Sequence, residues 1–182
     1  IDKLDAVAVD MHPRYPARRV GEELAEAHGT KLVEVQHHWA HGLSLMAETQ
    51  LERAVVLALD GTGYGDDGEA WGGEVMMCDA RGYERLGHLE YLPLPGGEVS
   101  VENPRRILHA IQCKLGLEAT ALDGMEADVV EKSLDACPMT SSAGRVLDAI
   151  SFHLGACSKR TYDGEPAMRL EPLLERGKPN YG

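Results

Sequence analysis

Two histidines four residues apart, His37 and His41, with His38 between them, open the segment VQHHWAHGLSLMAE. On a helix, residues i and i+4 share a face about 6 Å apart, a spacing that suits two ligands of one metal ion. The plain alternative is that histidines at a strand–helix junction cap or pack; three within five residues weigh toward the metal. The zinc-peptidase motif HExxH is absent, because His38 stands where its glutamate would be. Downstream, the apolar run 54–59 (AVVLAL) ends on Asp60, followed by Gly61, Gly63, Gly65 and Gly68. The carboxyl ends of strands are where open α/β sheets bind ligands, so Asp60 is a candidate metal ligand or general base. Its plain role is an Asx-type turn. The glycines predict a loop whose exposed amides let a phosphate approach closely, although a simple glycine-rich hairpin has the same composition. Neither GK[ST] nor a GxGxxG between strand and helix is present. The expectation is that the histidine helix and the Asp60 strand end meet in space.

The elements that must position these groups follow from periodicity. Residues 4–10 (LDAVAVD) read as a buried parallel strand, and 20–28 as a helix stopped by Gly29. Residues 31–36 read as a second strand, 37–48 as the histidine helix, and 53–59 as a buried third strand. This β-α-β-α-β opening predicts α/β layering. Strands are expected over 74–77, 83–86 and 89–92, with a hairpin turn at Ala80-Arg81-Gly82. PLPGG at 93–97 is the clearest break. Beyond it the chain reads as α-rich: a helix from Asn103-Pro104 to about residue 115, a mostly helical 118–139, a helix 144–154 capped by Ser141 or Ser142, and a last helix 166–175. Two regions are therefore expected, an α/β lobe over 1–97 and an α-rich segment over 98–182.

In the α-rich segment, SSAGRVLDAI places Asp148 on a helix, and TYDGEPAMRLE places Gly164 on a loop that feeds the next helix. Together they could hold ribose hydroxyls and stack a nucleotide against backbone; the plain reading is an amphipathic helix with a solvated aspartate. The pairs Arg18-Arg19 and Arg105-Arg106 could each clamp an anion or simply lie at the surface.

Composition sets the outer limits. At 182 residues and 43% hydrophobic, the chain can bury a core, and with only 5% aromatics that core should be aliphatic. Thirty acidic against 18 basic residues give a formal charge of −12, which repels a phosphate backbone and argues against nucleic acid as a partner. Cys78, Cys113, Cys137 and Cys157 form no CxxC pair and read as reduced, mostly buried thiols of a cytoplasmic protein. No apolar run approaches the length needed to span a membrane, so no membrane partner is expected.

VQHHWAH, ALDGTGYGDDGEAWGGE, YLPLPGG, SSAGRVLDAI and TYDGEPAMRLE, with MHPRYPA near the start, stand in an order that resembles the carbamoyltransferases of [NiFe]-hydrogenase maturation, the HypF family. The likeness is to their C-terminal domain, itself related to tRNA threonylcarbamoyl-transfer proteins. It implies an ASKHA, RNase H-like lobe (a mixed sheet flanked by helices) followed by an α-rich segment, as an incomplete two-lobe fold. The family's second lobe, acylphosphatase, CxxC-bearing and YrdC-like modules have no counterpart in these residues. By motif position, His37, His41 and Asp60 match metal ligands, for iron or zinc. Asp148 and Gly164 match family positions that contact the nucleotide, ATP or carbamoyl-adenylate, and Gly61 and Gly63 of the glycine-rich stretch are the candidates for its phosphate side. The implied acceptor is the C-terminal cysteine of a HypE-like protein. A non-catalytic metal- or nucleotide-binding module, and a tRNA threonylcarbamoyl-transfer relative, are the alternatives.

Overall fold

The computed structural model describes residues 3–177. The chain forms two compact units. One comprises the residues up to Ala58 together with Gly63–His88; the other comprises Leu59–Thr62 and the residues from Leu89 on. The PLPGG break at 93–97, expected from the sequence to divide the chain, lies inside the second unit.

In the first unit, β1 (Ala6–Asp10) pairs in parallel with β2 (Lys31–Val35), with Asp10 opposite Val35. The crossover is α1 (Pro16–His28), which starts with proline in its first turn and ends on Gly29 in the left-handed region. β2 runs through Gln36 into α2 (His37–Thr49); the Gln36 side chain caps the helix by accepting from the Trp39 amide at 2.8 Å. β3 (Arg53–Tyr64) is longer than expected: Gly61 and Gly63 are strand residues, and the turn comes at 65–69. β3 lies beside β4 (Ala70–Asp79), which pairs antiparallel with β5 (Gly82–His88). The Asp79 carboxylate shapes the intervening turn by accepting from the amides of Arg81 and Gly82.

Two strands are less buried than their apolar runs suggest. In β1 only Val9 is buried. In β3, Val56 and Ala58 face the core at 8% exposure each, whereas Val55 and Leu57 are 60% and 63% exposed. A continuous apolar run does not reveal which of its two faces is covered. The core here is also not purely aliphatic: Met46, Val56, Ala58, Trp71, Met76 and Cys78 cluster, with Trp39 and Tyr83 against them. Beside it, Arg85 stacks 3.8 Å over the Trp71 ring and donates to the fully buried Glu74 at 2.6 Å.

In the second unit, β6 (Leu92–Pro93) pairs antiparallel with β7 (Met139–Thr140). The other elements that follow residue 89 are helices: α3 (Glu98–Glu102), α4 (Pro104–Lys114), α5 (Gly124–Ser133), α6 (Ala143–His153) and α7 (Glu165–Arg176). Leu94, Val101, Ile107 and Ala149 form its core, with Leu108 and Ile111 packed on them. Arg105 and Arg106 both bind Glu126 of α5, at 2.6 and 3.0 Å, so that pair clamps an internal anion. The other pair binds internal carboxylates too: Arg18 pairs with Glu22 and Glu34, and Arg19 with Glu23. Among the described residues no helix is long and apolar enough to cross a membrane.

Candidate functional site

α2 brings His37 and His41 together. Their Nε2 atoms stand 3.3 Å apart and their ring centroids 4.9 Å apart. Two nitrogens bound to a tetrahedral ion at about 2.0–2.1 Å are themselves about 3.3 Å apart, so the pair fits one metal edge. His38 does not join them. It is fully buried, stacks on Trp71 at 6.3 Å, and places Nδ1 3.4 Å from the Gln36 amide nitrogen. Of the three clustered histidines, two form a pair and the third belongs to the core.

Two features the sequence reading passed over hold the pair in place. The first is Asp10, whose Oδ2 lies 2.8 Å from His37 Nδ1. The second is close backbone approach at Gly63. A Cβ there would stand 2.5 Å from His38 Cε1 and 2.6 Å from His37 Cδ2. That glycine is required by the imidazoles beside it. A hint of Asp10 was available: it closes an apolar run as Asp60 does, and of the two it is Asp10 that ends its strand, since β3 continues past Asp60 to Tyr64.

Asp60 lies in the stretch 59–62, within the second unit. Its Oδ1 accepts from the Gly61 amide at 2.6 Å. The carbonyls of Asp60 and Gly61 accept from Ser142 Oγ at 2.9 and 2.6 Å. Ser142 is the N-cap of α6 and also accepts from the Arg145 amide. Gly144 allows this contact, since a Cβ there would come within 2.8 Å of Gly61 Cα.

Asp148 is not a solvated helix residue. It is 3% exposed and bound to Arg145 at 2.6 Å. Burial pushes its carboxyl above the ordinary range while Arg145 pulls it down; burial likewise lowers the Arg145 guanidinium. Gly164 caps α7 in the left-handed region at φ 76°. Next to it, buried Glu165 accepts from the hydroxyl and amide of Thr161, at 2.8 and 2.6 Å, which hold its carboxyl below the usual range.

A second cluster of possible ligands, His109, Cys113 and Glu131, joins α4 to α5. Here the Leu122 amide donates to His109 Nδ1 at 3.2 Å. The ring proton therefore sits on Nε2 and is donated to Glu131 Oε1, also at 3.2 Å. The cluster is a hydrogen-bonded strut, with neither imidazole nitrogen left as a ligand.

Comparison with known proteins then settles the family. Residues 56–181 match the family described as "Carbamoyltransferase, Kae1-like Domain, second subdomain", and residues 2–48 match the "HypF Kae1-like domain". The chain belongs to the HypF carbamoyltransferase family. It is 42% identical to a probable carbamoyltransferase HypF of Methanocaldococcus jannaschii, over 97% of this chain and 25% of that protein. It is also 42% identical to carbamoyltransferase HypF2 of Cupriavidus necator, over 93% of this chain and 22% of that one. The chain thus spans about a quarter of the length of these HypF relatives. A crystal structure of full-length HypF in its phosphate- and nucleotide-bound form matches with TM-score 0.83 at 35% identity, over 93% of this chain and 28% of that one. HypF of T. kodakarensis matches with TM-score 0.82, also at 35% identity, over 98% and 26%.

Proposed function

We propose that this chain is the part of a HypF-type, ASKHA-fold carbamoyltransferase that holds a divalent metal and one side of the nucleotide, in the cytoplasm. The observation that carries the reading is the His37–His41 pair, with Nε2 atoms 3.3 Å apart. Asp60 is the carboxylate the motif order assigns to the same ion. Two imidazoles and a carboxylate suit iron or zinc. Bound there, the ion supplies a Lewis acid for an oxygen of the substrate.

The substrate is carbamoyl-adenylate, or ATP in its stead. The thiolate of a HypE-like C-terminal cysteine attacks the carbamoyl carbon, the bond to the adenylate phosphate oxygen breaks, and AMP leaves. Negative charge grows on the carbonyl oxygen and on the departing phosphate, so fixed donors around both speed the step. Gly61 and Gly63 are the backbone assigned to the phosphate side. Gly164, at the start of α7, offers a helix N-terminus, and Asp148 is assigned to the ribose. The formal charge of −12 supports a small-molecule and protein partner over tRNA.

Metal content and carbamoyl transfer test this together. The wild-type chain should retain iron or zinc near one equivalent, and His37→Ala or His41→Ala should abolish retention. Given carbamoyl-adenylate, the chain should carbamoylate a HypE-type cysteine and fail to modify tRNA. Unchanged metal content in both histidine variants would refute the site.

A further inference from the structure

Parallel pairing sets Asp10 opposite Val35 at the carboxyl ends of β1 and β2. The Met11 amide extends that ladder by donating to the Val35 carbonyl at 3.2 Å. Two residues past Val35 the chain is already in α2, at His37. The crossover thus seats the Asp10 carboxylate beside the His37 ring. Asp10 is anchored at both oxygens: Oδ1 accepts from the His12 amide at 2.7 Å, and Oδ2 faces His37 Nδ1 at 2.8 Å. The contact is largely shielded, with the two side chains 16% and 26% exposed.

An ionised carboxylate only accepts, so His37 Nδ1 must carry the proton it donates. In a neutral imidazole the lone pair then sits on Nε2, the atom that faces His41 Nε2. We infer that Asp10 is a positioning residue: it fixes the His37 tautomer and ring orientation so that Nε2 is presented as a ligand atom. The ligand half of this inference rests on the metal reading above. His109 shows the opposite case in the same chain. There a backbone amide donates to Nδ1 and the proton is driven to Nε2. What faces Nδ1 decides which nitrogen can bind a metal.

The test separates tautomer from metal. Imidazole-nitrogen NMR of the metal-free chain, at a pH where His37 is neutral, should show the proton on Nδ1. Asp10→Asn keeps the side-chain shape. With its oxygen on the His12 amide, its NH₂ must donate to His37 Nδ1, and the proton should move to Nε2. Metal affinity, titrated with Zn²⁺ alone, should fall about 10–100-fold at unchanged stoichiometry. Circular dichroism should show the fold intact, a control that sets this loss apart from unfolding. Asp10→Ala should lose affinity without enforcing the reversed tautomer. A proton found on Nε2 in the wild type would overturn the inference outright. So would Asp10→Asn affinity within about twofold of wild type, when His37→Ala and His41→Ala abolish binding. Retained binding in those two alanine variants would instead refute the metal reading, and with it the ligand role, whatever the tautomer proves to be.

Discussion

Gly63 carries a constraint out of proportion to its size. Nothing about its backbone is left-handed; the side-chain space is simply occupied by His37 and His38. Gly63→Ala forces a methyl into two imidazole rings whose helix is capped at Gln36 and packed on the core. Overpacking of this kind costs about 1–3 kcal/mol. Urea denaturation should show that loss, and metal retention should fall with it because His37 must turn away. A Gly63→Ala chain with wild-type stability and metal content would show that the strand yields and the histidines stay. The same residue also shows why a glycine count misleads. Four glycines after Asp60 suggest a loop, yet two of them are strand residues, and among Gly61, Gly63, Gly65 and Gly68 only Gly68 has a positive φ.

α6 is held at its start by Ser142 and along its buried side by the Arg145–Asp148 pair, 5% and 3% exposed. Two charges taken out of water stabilise little as a pair, but removing one leaves the other buried and uncompensated, at a cost of about 3–5 kcal/mol. Asp148→Ala should therefore destabilise strongly. The double variant Arg145→Met/Asp148→Leu should recover most of the loss, because neither charge remains. A double variant no more stable than Asp148→Ala, measured by urea denaturation, would show that Arg145 matters for its bond to Thr62 Oγ1 at 3.3 Å and not for the ion pair. A nucleotide role for Asp148 predicts a separate effect: the double variant, though folded, should bind ATP more weakly.

Across the whole molecule the cysteines divide by burial. Cys78 and Cys157 are buried, 0% and 1% exposed, while Cys113 and Cys137 are partly exposed. Burial raises the Cys78 and Cys157 thiols, as it raises Cys113, where Glu131 adds to the effect. An alkylating reagent at neutral pH should label Cys137 and Cys113 in the native chain and reach Cys78 and Cys157 only on denaturation. Mass mapping checks the order; early labelling of Cys78 would contradict its place in the Met46–Trp71–Met76 core. The expectation of mostly buried thiols holds for two of the four.

Local rules made much of this chain legible in advance. The β-α-β-α-β opening, the Gly29 stop, proline at the start of α4 and the serine cap of α6 depend on neighbours within a few residues, and the sequence contains those neighbours; α1 itself begins at Pro16, ahead of the start at residue 20 that its periodicity suggests. The i, i+4 spacing of His37 and His41 is likewise a property of one helix. Three things waited on tertiary structure because they depend on residues far apart in sequence. His38 turns inward because Trp71 and Gln36 receive it. β3 buries only alternate residues because one of its faces is covered. Asp10 meets His37 across 27 positions because a parallel strand pair brings the end of β1 to the start of α2. Spacing proposed which histidines pair; only the fold decided which carboxylate stands behind one of them.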